Sequence, residues 1–214
     1  MEITVKQMME IENNGHQMGF LKKFMMENAG AAAVKRLSEK FDLANKSVKI
    51  LAGLGNNGGD SLVMARHLAG YNAKVFLYLL GDPSKLKTDE SQWNWSLLEK
   101  MESVSVVTGG EINQEQDCDI IVDGILGTGI IGDIREPYSS AIDFINSSKG
   151  FKLAVDVPSG MNPDTGGTAN KVAKADMTVT FHKLKTGMRN RKDLCGEIFV
   201  EKIGIPPEAE QGVL

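Results

Sequence analysis

One stretch, VKILAGLGNNGGDSLVMARHL from Val48 to Leu68, limits most tightly what this chain can fold into. Val48, Ile50, Ala52 and Leu54 stand among further apolar neighbours, the pattern of a parallel strand buried on both faces. Leu62 to Leu68 carries the apolar spacing of a helix, and between the two lies a glycine-rich turn. Gly53, Gly55, Gly58 and Gly59 would permit positive backbone angles and close approach of a ligand, while Asn56, Asn57 and Asp60 place polar groups where the helix begins. A strand, a glycine turn and a helix start together suit an anion or nucleotide.

The turn contains a literal GxGxxG, from Gly53 to Gly58, and Asp82 follows the next apolar run near the place where a dinucleotide fingerprint wants an acidic residue. The competing reading is a tight turn with Asp60 as the helix N-cap. NNGGD favours a site, because two amides and a carboxylate in five residues exceed what a turn requires.

Length fits one sizeable core, and no linker-like stretch divides the 214 residues, so a single domain over 1–214 is expected. A formal charge of -4 argues against nonspecific nucleic-acid binding as the main task. Cys118 and Cys195 have no metal-ligand spacing and are too few for a disulfide framework, which makes a reduced, cytoplasmic setting the simplest reading. No run approaches the apolar length of a membrane span, and Glu2, Glu10 and Glu12 stand where a secretory signal would be basic and then apolar.

Along the chain, helices are expected over residues 5–14, about Phe20 to Phe41, Thr88 to Met101 and Arg135 to Ser148. Strands are expected over Lys74 to Leu80, Val104 to Thr108, Asp119 to Ile125, Lys152 to Val157, Ala175 to Phe181 and Glu197 to Ile203. Trp93 and Trp95 cannot share a helix face, so one packs and the other is partly exposed. The alternation implies an α/β fold, a three-layer α/β/α sandwich around a mostly parallel, Rossmann-like sheet. In such sheets ligands bind beyond the carboxyl ends of the strands, where three polar glycine-rich turns would converge.

Asp123 and Asp156 each close a predicted buried strand, in VDGILGTGIIGD and VDVPSGMNPDTG. A carboxylate there is costly unless paired, hydrogen-bonded or bound to a cation. The alternative is that each caps a neighbouring turn. Should a cation be held, the ligands on offer are amide, carboxylate, hydroxyl and carbonyl oxygens, which suit a weakly bound monovalent ion better than zinc or calcium.

GLGNNGGDSLVMARHL resembles the signature of the NAD(P)H-hydrate epimerases, the YjeF N-terminal domain family, usually written with GNNGGDG. Ser61 stands where the family has glycine. The MENAG word at Met26–Gly30, the VDVPSG turn and ADMTVTF followed by HKLKTG extend the resemblance over most of the chain. The resemblance implies that one potassium ion per subunit is held by Asn57, Asp123 and Ser159. It implies further that Asn56, Asn57, Gly58, Gly59 and Asp60, with the loop Gly127, Thr128, Gly129, Ile130, Ile131, Gly132 and Asp133, cradle the hydrated dinucleotide beside Asp156. By the same likeness Asn28 supports the cleft from behind, a homodimer is expected, and a separate NAD(P)H-hydrate dehydratase acts in the same repair pathway.

The family's reaction interconverts the R and S epimers of NADHX and NADPHX, in which water has added across the nicotinamide C5–C6 bond. The ring nitrogen can expel the C6 hydroxyl once an acid protonates it, leaving a planar iminium that water can attack from either face. This needs an acid/base group and support for a cation, not a redox step. Asp156 is the candidate acid/base, with Lys185 the weaker one. Two other readings stay open: a hydride-transferring dehydrogenase, suggested by GxGxxG and Asp82, and a noncatalytic nucleotide-binding or scaffold member of the same family.

Overall fold

The computed structural model describes residues 2–110, 112, 117–128 and 132–214. In chain order the elements are β1 (Glu2–Ile3), α1 (Val5–Gln17), α2 (Lys22–Lys40), β2 (Ser47–Ala52), α3 (Asn56–Gly70), β3 (Lys74–Leu79), α4 (Asp89–Leu98) and β4 (Val104–Thr108). There follow β5 (Ile120–Gly124), α5 (Tyr138–Ser147), β6 (Phe151–Val155), β7 (Met177–Phe181), β8 (Leu184–Lys185), α6 (Lys192–Cys195) and β9 (Glu197–Glu201).

Seven strands form one wholly parallel sheet in the order β4-β3-β2-β5-β6-β7-β9. The central strands are apolar on both sides because both sides are covered. Val48, Ile50 and Ala52 of β2 pack into a core shared with α1, α2 and α3, while Leu51 packs with Ile142 and Ile145 of α5 on the other face. The three-layer α/β expectation therefore holds, with strand positions within two residues of those read from the sequence. Trp95 packs against the main core and Trp93 is exposed.

The strand order reverses between β2 and β5. From β2 the chain moves outward through β3 to β4, then returns beside β2 as β5 and proceeds the other way. The loops leaving β2 and β5 therefore diverge to opposite faces and leave a crevice at the carboxyl ends, which is where open parallel sheets bind ligands.

A second, two-stranded sheet was not foreseen: β1 lies parallel to β8, with Glu2 opposite Leu184 and Ile3 opposite Lys185. α1 begins immediately afterwards on a capping box in which Thr4 Oγ1 accepts from Gln7 N at 3.2 Å and Gln7 Oε1 accepts from Thr4 N at 2.9 Å. This pairing sets α1 against the edge of the crevice. Among the described residues no helix is long and apolar enough to cross a membrane.

Candidate functional site

The crevice opens into a cleft of about 790 Å³. Asn56, Asn57 and Asp60 of α3, Gly127 and Thr128 after β5, Asp156 after β6 and Lys185 of β8 line it together. The sequence places NNGGD in a glycine-rich turn, with an Asp60 cap as the competing reading to a ligand site; in the structure the whole word is helix and Asp60 is not its cap. α3 starts at Asn56, Gly55 is its N-cap, and no side chain caps it. The first backbone N–H groups of α3 have no intrahelical acceptor and sit at the cleft, where they suit phosphate oxygens.

Gly53, Gly58 and Gly59 serve close packing, not positive φ. None of Gly53, Gly55, Gly58 and Gly59 has a left-handed backbone, which corrects that part of the expectation. A methyl on Gly53 would stand 1.9 Å from the Ile125 carbonyl oxygen, and one on Gly58 would stand 1.8 Å from that of Gly53. These contacts press the start of α3 onto the ends of β2 and β5. Gly58 and Gly59 are buried beneath the cleft lining, Gly59 against Met26 and Ser91. Gly30 of the MENAG word has the same purpose, since a methyl there would meet Val63 at 2.5 Å.

Ser61 does not face the cleft. It is fully buried, and its hydroxyl donates to Asn57 O at 3.0 Å, a bond internal to α3. Its side chain fills the space left by Gly124, where a methyl would stand 1.7 Å from Ser61 Oγ. Asp82, read as a possible ribose partner, instead caps a short turn through Ser84 N at 2.9 Å and Ser84 Oγ at 2.8 Å, and is not among the lining residues. Asn28 donates to the carbonyl of Ile203, a lining residue, at 2.8 Å. Gly132 and Asp133 are exposed and do not line the cleft; Gly129, Ile130 and Ile131 lie outside the described residues.

Asn57, Asp123 and Ser159 come together below the start of α3. The Ser159 hydroxyl lies 2.5 Å from Asp123 Oδ1, Ser159 N donates to Asp123 Oδ2 at 2.8 Å, and Ile125 N donates to Asp123 Oδ1 at 3.3 Å. Asn57 Nδ2 and Ser159 Oγ both reach the Leu126 carbonyl oxygen, at 3.3 and 3.2 Å. Asp123 is almost wholly buried, and these partners are all neutral. Burial outweighs the hydrogen bonds and pushes its carboxyl up to about 6. An oxygen-only set around a buried carboxylate with no counter-charge fits a hard monovalent cation. Among the described residues no three His, Cys, Asp or Glu side chains cluster as a transition-metal site would require.

Asp156 lies just past the end of β6 with φ 61°, a strained conformation for a non-glycine residue. Its Oδ1 accepts from Lys185 Nζ at 2.5 Å, Thr180 Oγ1 at 2.9 Å and Phe181 N at 3.2 Å. Lys185 is buried and also donates to Thr180 Oγ1 and the Phe181 carbonyl, each at 3.0 Å. The two acid/base candidates of the sequence are thus one ion pair. Asp60 sits nearby, and burial raises its carboxyl well above the usual range, with the Asp156 and Glu12 charges acting the same way.

Sequence reasoning missed the wall formed by α1. Val5, Met8, Met9, Glu12, Asn13 and His16 recur at the spacing of one helical face and all line the cleft. That spacing is readable in the sequence; which way the face turns is not.

Residues 22–187 match the family model described as YjeF-related protein N-terminus. The chain is 67% identical over 215 residues to the NAD(P)H-hydrate epimerase of Nitrosopumilus maritimus, with 100% of each chain covered. It is 42% identical over 208 residues to the bifunctional NAD(P)H-hydrate repair enzyme of Archaeoglobus fulgidus, covering 97% of this chain and 42% of that one. The crystal structure of the yeast protein ynu0 is similar, with a TM-score of 0.81 at 25% identity, over 94% of this chain and 88% of the other.

Proposed function

The chain belongs to the family of YjeF-related protein N-termini, and from that premise we propose how its cleft works. It is an NAD(P)H-hydrate epimerase, an isomerase that interconverts the R and S epimers of NADHX and NADPHX. The observation that carries the chemistry is the Asp156–Lys185 pair at the cleft, 2.5 Å from carboxylate to ammonium. Lys185, Thr180 and the Phe181 amide hold the Asp156 carboxyl in place beside the nicotinamide ring. There it takes up a proton from incoming water and offsets the positive charge of the iminium. Asp60, whose carboxyl burial raises well above the usual range, lines the cleft beside this pair.

The α3 start and the loop at Gly127 and Thr128 receive the pyrophosphate, and Asn56, Asn57 and Asp60 fix the nucleotide against them. Potassium suits the oxygen set of Asn57, Asp123, Ser159 and the Leu126 carbonyl. When bound it supplies a positive charge under the phosphate loop, and these four residues hold that loop to the end of β5.

A homodimer is supported by the exposed apolar residues Met9 on α1, Met18 and Leu21 in the turn that follows, and Phe24 in the first turn of α2. Two free cysteines are consistent with a cytoplasmic setting, where the substrate arises. The pathway partner is NAD(P)H-hydrate dehydratase, which consumes one epimer. The test is chromatographic: wild-type protein with potassium equilibrates (6R)- and (6S)-NADHX faster than the spontaneous background. No excess over background replaces the enzyme reading by that of a nucleotide-binding scaffold.

A further inference from the structure

Epimerisation at C6 involves both faces of the nicotinamide ring, and a single acid/base side chain reaches only one of them. Hydroxyl leaves from one face of the nicotinamide ring and water returns to the other, so a proton must be delivered on one side and collected on the opposite side. Asp156 projects from a strand end. A second element, α1, forms its own wall of the cleft, and Glu12 is the carboxyl it presents there.

The two carboxyls sit in opposite settings. Asp156 Oδ1 accepts from an ammonium, a hydroxyl and a backbone amide. Among the described residues no hydrogen bond or ion pair holds the Glu12 carboxyl. The neighbouring cations are already engaged: Lys185 by Asp156, and Lys22 by Asn13 Oδ1 at 2.6 Å. The charged and titratable groups around Glu12 are Asp156 after β6, Lys185 on β8, Lys22 on α2, Asp60 on α3 and His16 on α1 itself. Burial, then the charge of Asp156, raise the Glu12 carboxyl above its ordinary range, against smaller opposing effects of Lys185 and Lys22.

Resting on the epimerase reading above, we infer that Glu12 is a second catalytic carboxyl, serving the ring face turned toward α1 while Asp156 serves the face turned toward the strand ends. In one direction Glu12 gives its proton to the C6 hydroxyl, the C6–O bond breaks toward oxygen, and water departs as the ring-nitrogen lone pair forms the iminium. A second water forms the new C6–O bond from the other face, and its proton passes to Asp156. One water is lost, one is gained, and one proton has moved from Glu12 to Asp156. The opposite epimer runs the same steps backward.

The test separates inversion from exchange. Each pure epimer is incubated in water labelled with heavy oxygen, and both label uptake and epimer ratio are followed with Glu12→Gln. Inversion needs both faces and falls roughly 100-fold or more, the usual cost of losing an acid/base group. One epimer, with its hydroxyl toward Asp156, still takes up label with retained configuration, while the other loses exchange as well. Glu12→Asp restores part of the inversion with a shifted pH profile, which a purely structural residue would not do. Inversion by Glu12→Gln at the wild-type rate overturns the inference, as does equal loss of exchange in both epimers or an unshifted profile for Glu12→Asp. A wild type no faster than background instead removes the epimerase reading on which the inference stands.

Discussion

Asp123 and Asp156 end adjacent strands of one parallel sheet, and the sequence presents them as equivalents: VDG and VDV, each before a polar glycine-bearing turn. The structure makes them opposites. Asp123 is still inside β5, sealed from solvent, and bonded only to neutral groups. Asp156 is one residue beyond β6, turned by a positive φ toward the cleft and bonded to an ammonium. A buried carboxylate supplied with hydrogen bonds alone still lacks a counter-charge, which is the condition of a cation ligand. One supplied with an ammonium is already a stable anion, free to face a substrate that becomes positive.

The sharpest way to break this contrast is to interfere at Asp156. Asp156→Asn keeps the size but removes proton exchange, and epimerisation should fall by about 100- to 10,000-fold with little change in the Michaelis constant. Epimer chromatography measures it, and full turnover would take the catalytic role from Asp156. Next comes Lys185→Met, which leaves a largely buried carboxylate without its cation. Urea unfolding should show a loss of about 3–5 kcal/mol, much of it recovered when Asp156→Asn is added. Unequal recovery would show that Lys185 stabilises chiefly by its other bonds, to Thr180 and Phe181.

At Asp123 the corresponding test is the ion. Potassium at about 100 times its dissociation constant should stabilise the fold by about 2.7 kcal/mol, a gain absent in Asp123→Ala. Thallium substituted for potassium should give an anomalous peak between Asn57, Asp123 and Ser159, and an empty map there would dissolve the contrast. Gly124→Ala, beside Asp123, should cost about 1–3 kcal/mol because its methyl meets Ser61, and adding Ser61→Gly should relieve the clash. Ser61→Gly alone should lose about 0.5–1 kcal/mol in thermal unfolding while dinucleotide affinity by calorimetry stays nearly constant.

These pairs also show what could be read beforehand. Strands buried on both faces write themselves as apolar runs, so β2, β5, β6 and β7 were visible, as were the polar residues closing them. NNGGD was visible as a site but not as helix. Two adjacent glycines suggest a turn, and only the carbonyls of Gly53 and Ile125, brought close by folding, explain why side chains are excluded. The complement between Ser61 and Gly124 joins two motifs 63 positions apart, so neither motif discloses it alone. Glu12 lay in an ordinary amphipathic helix, and no residue near it in sequence says that this helix would form a wall of the cleft.

The pairing of β1 with β8 bears on how the protein is made. Glu2 and Ile3 are translated long before their partners, because Leu184 and Lys185 emerge only after six of the seven strands of the large sheet. Until then α1 has no strand to anchor its start, and Asp156 has no ammonium. The large core can condense as its strands appear, whereas the cleft is completed only by the late pairing of β1 with β8. A nascent chain stalled before residue 184 should therefore be compact yet inactive.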